Sequence, residues 1–263
     1  MVLEEPTPVA ELSSAYAQEH LVDAAHLYID LVKKCVLNAI YGDVLEPFFN
    51  PKLREVGKDW PELAHSMVGL QRLNNIQMCV EDVLGKGVKG DLIETGVWRG
   101  GASIFMRAIL KAYNITDRRV FVADSFEGLP IPDAEKYPKD ADSLLYKTMG
   151  LAVSMEEVQS NFRRYGILDE QVCFLKGWFK DTLPTAPISQ LAVIRLDGDI
   201  YESTMDGLVN LYPKLSVGGY VIVDDYGALA ACKDAVEDYR RNNKITDEIV
   251  KIDWTGVYWK RMS

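Results

Sequence analysis

GDLIETGVWRGGAS, residues Gly90 to Ser103, passes from a short apolar segment through an acid and a glycine turn into a second apolar segment with helical spacing. A strand that ends this way and feeds directly into a helix opens a βα unit, and its turn brings backbone N–H groups and a helix N-terminus close to a ligand. From here onward the chain alternates. Strands are predicted at Asp91–Thr95, Arg119–Asp124, Gln171–Lys176, Leu191–Asp197, Tyr220–Asp224, Glu248–Asp253 and Val257–Arg261, with helices at about 101–113, 155–165, 203–214 and 229–243. This rhythm signifies an α/β protein with a seven-stranded, mostly parallel, doubly wound sheet. Only Trp254-Thr255-Gly256 separates the last two strands, which is hairpin spacing, so the final strand is expected to be antiparallel.

Ahead of Gly90 the pattern is helical. Residues 1–9 are expected to form a disordered leader and 10–89 an N-terminal helical cap, with the core at 90–263. A first helix is predicted over 10–41, its apolar stripe built from Leu21, Ala24, Tyr28, Leu31, Cys35 and Ile40. Residues 42–58 read as a loop. A second helix is predicted to start at Asp59 as N-cap with Pro61 in its first turn, and to end at Gly85 and Gly87. Residues 130–153 show no clear element, and an insertion of that length in a compact domain is expected to be a lid or binding loop.

At 263 residues, 48% hydrophobic and 26% charged, the chain is long enough for one substantial core. Its formal net charge of −10 argues against binding nucleic-acid phosphates or anionic membrane surfaces, and points to a small-molecule partner. Cys35, Cys79, Cys173 and Cys232 are scattered without CxxC spacing, so free thiols in a reducing compartment are expected. The N-terminus has no signal-peptide pattern and no apolar run approaches the ~20 residues that span a bilayer, so the expected location is the cytoplasm.

Four aspartates carry the chemistry. LAVIRLDGDIYES (Leu191–Ser203) sets Asp197 and Asp199 two apart, on one face of a strand end, with Gly198 between them leaving room for close approach. GGYVIVDDYG (Gly218–Gly227) places Asp224 and Asp225 directly after an apolar run. Those two diverge on a continuing strand, so they share a site only if the strand stops and Tyr226-Gly227 turns the chain. A lone aspartate at a strand end is more often a turn former or helix cap than a ligand. Two ends that both finish in paired acids are better explained by a cation that offsets their repulsion, with a general base beside it. In open α/β sheets ligands gather at the carboxyl ends of the strands, where all four would lie.

The turn after the first strand excludes other cofactors. A dinucleotide fingerprint needs glycine where Trp98 stands, and a phosphate-binding P-loop needs a G-K-[ST] that is absent. Glu94 ends the first strand and Asp124 the second, in RVFVADSFEG. Acids there repel a pyrophosphate and suit an ammonium group and ribose hydroxyls, both of which S-adenosylmethionine carries.

ETGVWRGGASIF, VADSFEGLP, LKGWFKDTLP, LDGDIYESTMD and VIVDDYG, with HSMVGLQRLNNIQ at His65–Gln77, resemble the macrocin O-methyltransferase family of metal-dependent sugar O-methyltransferases of antibiotic biosynthesis. The resemblance implies a class I methyltransferase fold, S-adenosylmethionine and Mg²⁺ as cofactors, a deoxysugar hydroxyl of a glycosylated scaffold as acceptor, and a homodimer or higher homo-oligomer. It places metal ligands on Asp197, Asp224 and Asp225 and the general base on Asp199. Cofactor contacts fall on Glu94, Thr95, Gly96, Gly100, Asp124, Ser125, Gly177 and Trp178. The alternative acceptor is a catechol or phenol, whose pKa of ~10 asks less of a base. His65 is a weaker ligand candidate; Tyr201 is equally suited to shaping the acceptor pocket or to packing.

Overall fold

The computed structural model describes residues 24–42 and 49–263. The leader and the first part of the predicted N-terminal helix, Leu21 of its stripe included, lie outside the described residues. Residues 24–36 are helical (α1), and the helices Pro51–Glu55 (α2) and Gly69–Gly85 (α3) follow. Then come β1 Asp91–Thr95, α4 Gly101–Ala112, β2 Val120–Asp124, α5 Met155–Arg164, β3 Val172–Lys176, α6 Phe179–Thr182 and β4 Leu191–Leu196. The chain continues through α7 Tyr201–Leu211, β5 Leu215–Val223, α8 Ala230–Asn242, β6 Val250–Lys251 and β7 Val257–Lys260.

The seven strands form one sheet in the order β3-β2-β1-β4-β5-β7-β6. β3, β2, β1, β4 and β5 pair in parallel, and β7 runs antiparallel to both β5 and β6, as the hairpin spacing requires. Successive residues of a strand face opposite sides, and the core divides accordingly. Leu92, Val120, Val122, Val193 and Ile222 pack under α1, α3, α4 and α5. Ile93, Phe121, Ala123, Ile194, Leu196, Val221 and Val223 pack under α7 and α8, with Trp259 of β7 fully buried beside them. Each such buried side chain contributes ~1.5–3 kcal/mol relative to exposure, so both faces of the sheet are anchored. The four cysteines are free, Cys79 and Cys232 buried and the other two half-buried.

Several boundaries differ from expectation. The second helix begins at Gly69, ten residues after Asp59, because Asp59 is engaged by Arg54, whose Nε donates to its Oδ2 at 2.5 Å. The segment read as a loop contains α2, capped by Asn50, which accepts from the amides of Lys52 and Leu53 ahead of Pro51. In α1 the buried stripe is Ala25, Ile29, Val32 and Val36, while Ala24, Leu31 and Ile40 are exposed. β6 shrinks to two residues, and β5 begins five residues earlier than predicted.

Candidate active site

A cavity of about 560 Å³ opens at the carboxyl ends of β1, β2, β4 and β5, a size typical of small-molecule sites. Glu94, Gly96, Asp124, Ser125, Trp178, Asp197, Asp199, Asp224 and Asp225 line it, with His65 and Trp98. Thr95, Gly100 and Gly177 are not among its lining residues. Thr95 is buried in the sheet, a Cβ on Gly100 would meet Val158 of α5, and one on Gly177 would meet Thr182.

Gly96 is where the β1 turn touches the end of β4. Its φ is +80°, and a Cβ would lie 1.7 Å from the carbonyl oxygen of Asp197, so only glycine fits. Asp124 at the end of β2 has both oxygens engaged, accepting from the amides of Val97 and Phe126 at 2.7 Å each. It thereby splints the two turns that border the cavity. Ser125 donates to the carbonyl of Gly128 at 2.7 Å.

The acids surround a cation that the sequence pattern did not single out. Arg195 of β4 is fully buried, and its Nη1 donates to Glu94 at 2.6 Å and to Asp197 at 2.8 Å, while its Nη2 donates to Asp224. Arg72 of α3 donates to the other oxygen of Asp224 and to Asp253 at 3.0 Å. Glu94 also accepts from Ser103. The signal was available: an arginine inside the apolar run LAVIRL must find carboxylates if it is buried.

This changes which acids converge. β5 does stop at Val223, as a shared site required, yet Asp224 turns to the two guanidiniums and Asp225 turns to the cavity. Among the described residues, the acids that bring one carboxylate oxygen each within 4.8 Å of one another are Asp197, Asp199 and Asp225. One oxygen of Asp225 is buried with no hydrogen-bond partner. Burial, then the charges of Asp197 and Asp224, push the Asp199 carboxyl up to about 7. Burial likewise pushes Glu94 up to about 7 against the pull of Arg195, and Asp197 and Asp225 are also raised. Carboxyls that resist ionisation this strongly are the ones an incoming cation would relieve. Oxygen donors without His or Cys favour Mg²⁺ or Mn²⁺ over Zn²⁺.

His65 is held neutral: burial and the nearby Arg164 and Arg99 lower it to about 4, and its Nδ1 lies 2.9 Å from the Tyr165 hydroxyl. The Tyr201 hydroxyl points away and donates to Asp238 at 3.1 Å. Trp98, the residue that breaks the dinucleotide fingerprint, donates from Nε1 to the carbonyl of Gly150 in the 130–153 insertion at 2.7 Å.

Residues 43–261 match the family Macrocin-O-methyltransferase (TylF). Among curated proteins, the chain is 58% identical to the 8-demethyl-8-(2,3-dimethoxy-alpha-L-rhamnosyl)-tetracenomycin-C 4'-O-methyltransferase of Streptomyces olivaceus, across 90% of this chain and 94% of that one. It is 55% identical to the demethyldecarbamoylnovobiocin O-methyltransferase of Streptomyces niveus, across 89% and 93%. The solved structure of the O-methyltransferase NovP superimposes with a TM-score of 0.88 at 55% identity, across 91% of this chain and all of that one. A calicheamicin methyltransferase shares the fold at 18% identity, with a TM-score of 0.56 over 80% of this chain and 90% of that one.

Proposed function

Since the chain belongs to the macrocin-O-methyltransferase family, we propose that it methylates a deoxysugar hydroxyl of a glycosylated natural product, with Asp199 as general base and Mg²⁺ held among the acids. As an enzyme it is an S-adenosylmethionine-dependent sugar O-methyltransferase of antibiotic biosynthesis. The observation that carries the finer reading is the convergence of Asp197, Asp199 and Asp225 in a cavity that Glu94 and Asp124 also line.

When bound, S-adenosylmethionine supplies a methyl carbon on a cationic sulfur, and Mg²⁺ supplies positive charge that eases proton loss from a sugar hydroxyl. Asp197 and Asp225 would hold the ion, the unpartnered oxygen of Asp225 being available for it. Asp224 would join them through an oxygen now given to an arginine. A sugar hydroxyl, like water with a pKa of ~15.7, holds its proton tightly. Asp199 takes that proton at a carboxylate oxygen, and a base poised near neutral pH is suited to the task. Glu94 and Asp124 would hold the cationic and ribose portions of the methyl donor, Trp178 forms part of the cavity wall, and residues 130–153, tied down at Gly150 by Trp98, would exclude water.

Asp199→Asn is expected to lower turnover by roughly 10² to 10⁴ while S-adenosylmethionine binding, followed by calorimetry, is retained. Turnover at the parent rate would show that another group accepts the proton. Chelation is expected to abolish activity and added Mg²⁺ to restore it; full activity in excess chelator would remove the cation from the mechanism.

A further inference from the structure

We propose that Asp140, in the insertion, is a positioning residue that couples the seating of the insertion to the aim of Asp199. Asp140 is 1% exposed, although it lies in a segment that is mostly open to solvent. Its two carboxylate oxygens each accept one of the first amides of α7, Tyr201 N–H at 2.7 Å and Glu202 N–H at 2.9 Å. The residue at the N-cap position, Ile200, supplies no side-chain cap of its own. The helix therefore borrows its cap from sixty residues earlier in the chain, and a carboxylate there satisfies both the open N–H groups and the positive end of the helix dipole.

Asp199 stands two residues before that capped turn. Its φ is +60°, a left-handed conformation that a non-glycine residue keeps only when its flanks hold it. On one side Asp197 N–H bonds to the Thr95 carbonyl at 2.9 Å and ties the segment to the sheet. On the other, the Ile200 amide closes on the Gly198 carbonyl at 2.6 Å, and the chain enters α7, whose first turn Asp140 grips. The insertion is seated elsewhere as well, with Tyr137 against the Tyr201 ring among its contacts. Lys139 reaches Asp238 at 2.8 Å and Asp234 at 3.2 Å on α8, and Trp98 holds the Gly150 carbonyl. Lifting the insertion thus withdraws the cap from the turn that presents Asp199, so the base is correctly aimed only while the insertion covers the site.

The inference rests on Asp199 acting as the base, and the experiment separates the two. Asp140→Ala is expected to lower kcat about 100-fold, in line with what a misplacement of ~1 Å costs. S-adenosylmethionine affinity should be unchanged and acceptor KM altered by less than about 3-fold. Asp140→Asn keeps one acceptor oxygen and is expected to fall only about 10-fold. Lys139→Ala removes exposed ion pairs and a cation contact on the Tyr201 ring while leaving the Asp140 carboxylate on the helix, and should stay within about 2-fold of the parent. A parent-like kcat in Asp140→Asn or Asp140→Ala overturns the coupling. If Asp140→Ala does not fold, the Asn variant decides the matter by kcat at unchanged Tm. Asp199→Asn, run in parallel, reports on the base itself: parent-rate turnover there refutes the base assignment and this inference with it, whereas loss there with none at Asp140 refutes the coupling alone.

Discussion

Replacing Arg195 with methionine tests whether the acid site is organised around its internal cation. The substitution keeps the length and apolar character of the stem but strands the inaccessible Glu94 and the partly exposed Asp197, and leaves Asp224 to Arg72 alone. Removing one partner of a buried ion pair costs about 3–5 kcal/mol, and near this chain length each kcal/mol moves Tm by roughly 2–4 °C. A fall of roughly 6–20 °C is therefore expected in chelator at pH 8. The sign of the pH dependence follows from the carboxyls. A group whose folded pKa lies above its unfolded value contributes stability at low pH that is lost as pH rises through the folded pKa. Glu94 already stands near 7, and deleting Arg195 raises it and Asp197 further, so the deficit should be small at pH 5.5 and largest at pH 8. Adding Mg²⁺ should recover part of it by restoring positive charge among the same oxygens. Scanning fluorimetry of parent and variant at the two pH values, with chelator or with MgCl₂, is sufficient. A variant melting within about 2 °C of the parent at pH 8, or a deficit independent of pH, would refute the idea that Arg195 neutralises these acids.

His65 has its pKa lowered to about 4, so its neutral form contributes stability that is present above the unfolded value near 6.5 and is lost as pH falls toward 4. His65→Gln should gain Tm relative to the parent across that window, and a gap that does not change with pH would contradict the assignment. Gly96→Ala must displace the Asp197 backbone, and it is expected to cost more than ~4 kcal/mol or to prevent folding; a soluble variant with parent Tm would disprove that packing.

Much of the fold was legible because both faces of the central strands are covered, and β1, β2 and β4 read as apolar runs closed by an acid. The hairpin was legible because three residues leave no room for a crossover. The active-site acids were legible as a group, while their division between guanidiniums and cavity was not. That division depends on Arg72, which meets Asp224 across 152 positions of sequence, and on the direction each acid takes after β5 ends. Asp59 looked like a helix cap because its local sequence is that of one; an ion pair with Arg54, just before it in the chain, claims it instead. Asp140 gave no local signal, since the helix it caps lies sixty residues downstream.

The contact between Gly96 and the Asp197 carbonyl welds the turn after β1 to the acid-bearing turn after β4, backbone against backbone, with no side chain in between to adjust. Neither turn can drift without the other, so any movement of one strand end is passed to its neighbour, whereas the 130–153 insertion is fastened to the body by side-chain contacts that can be exchanged one at a time.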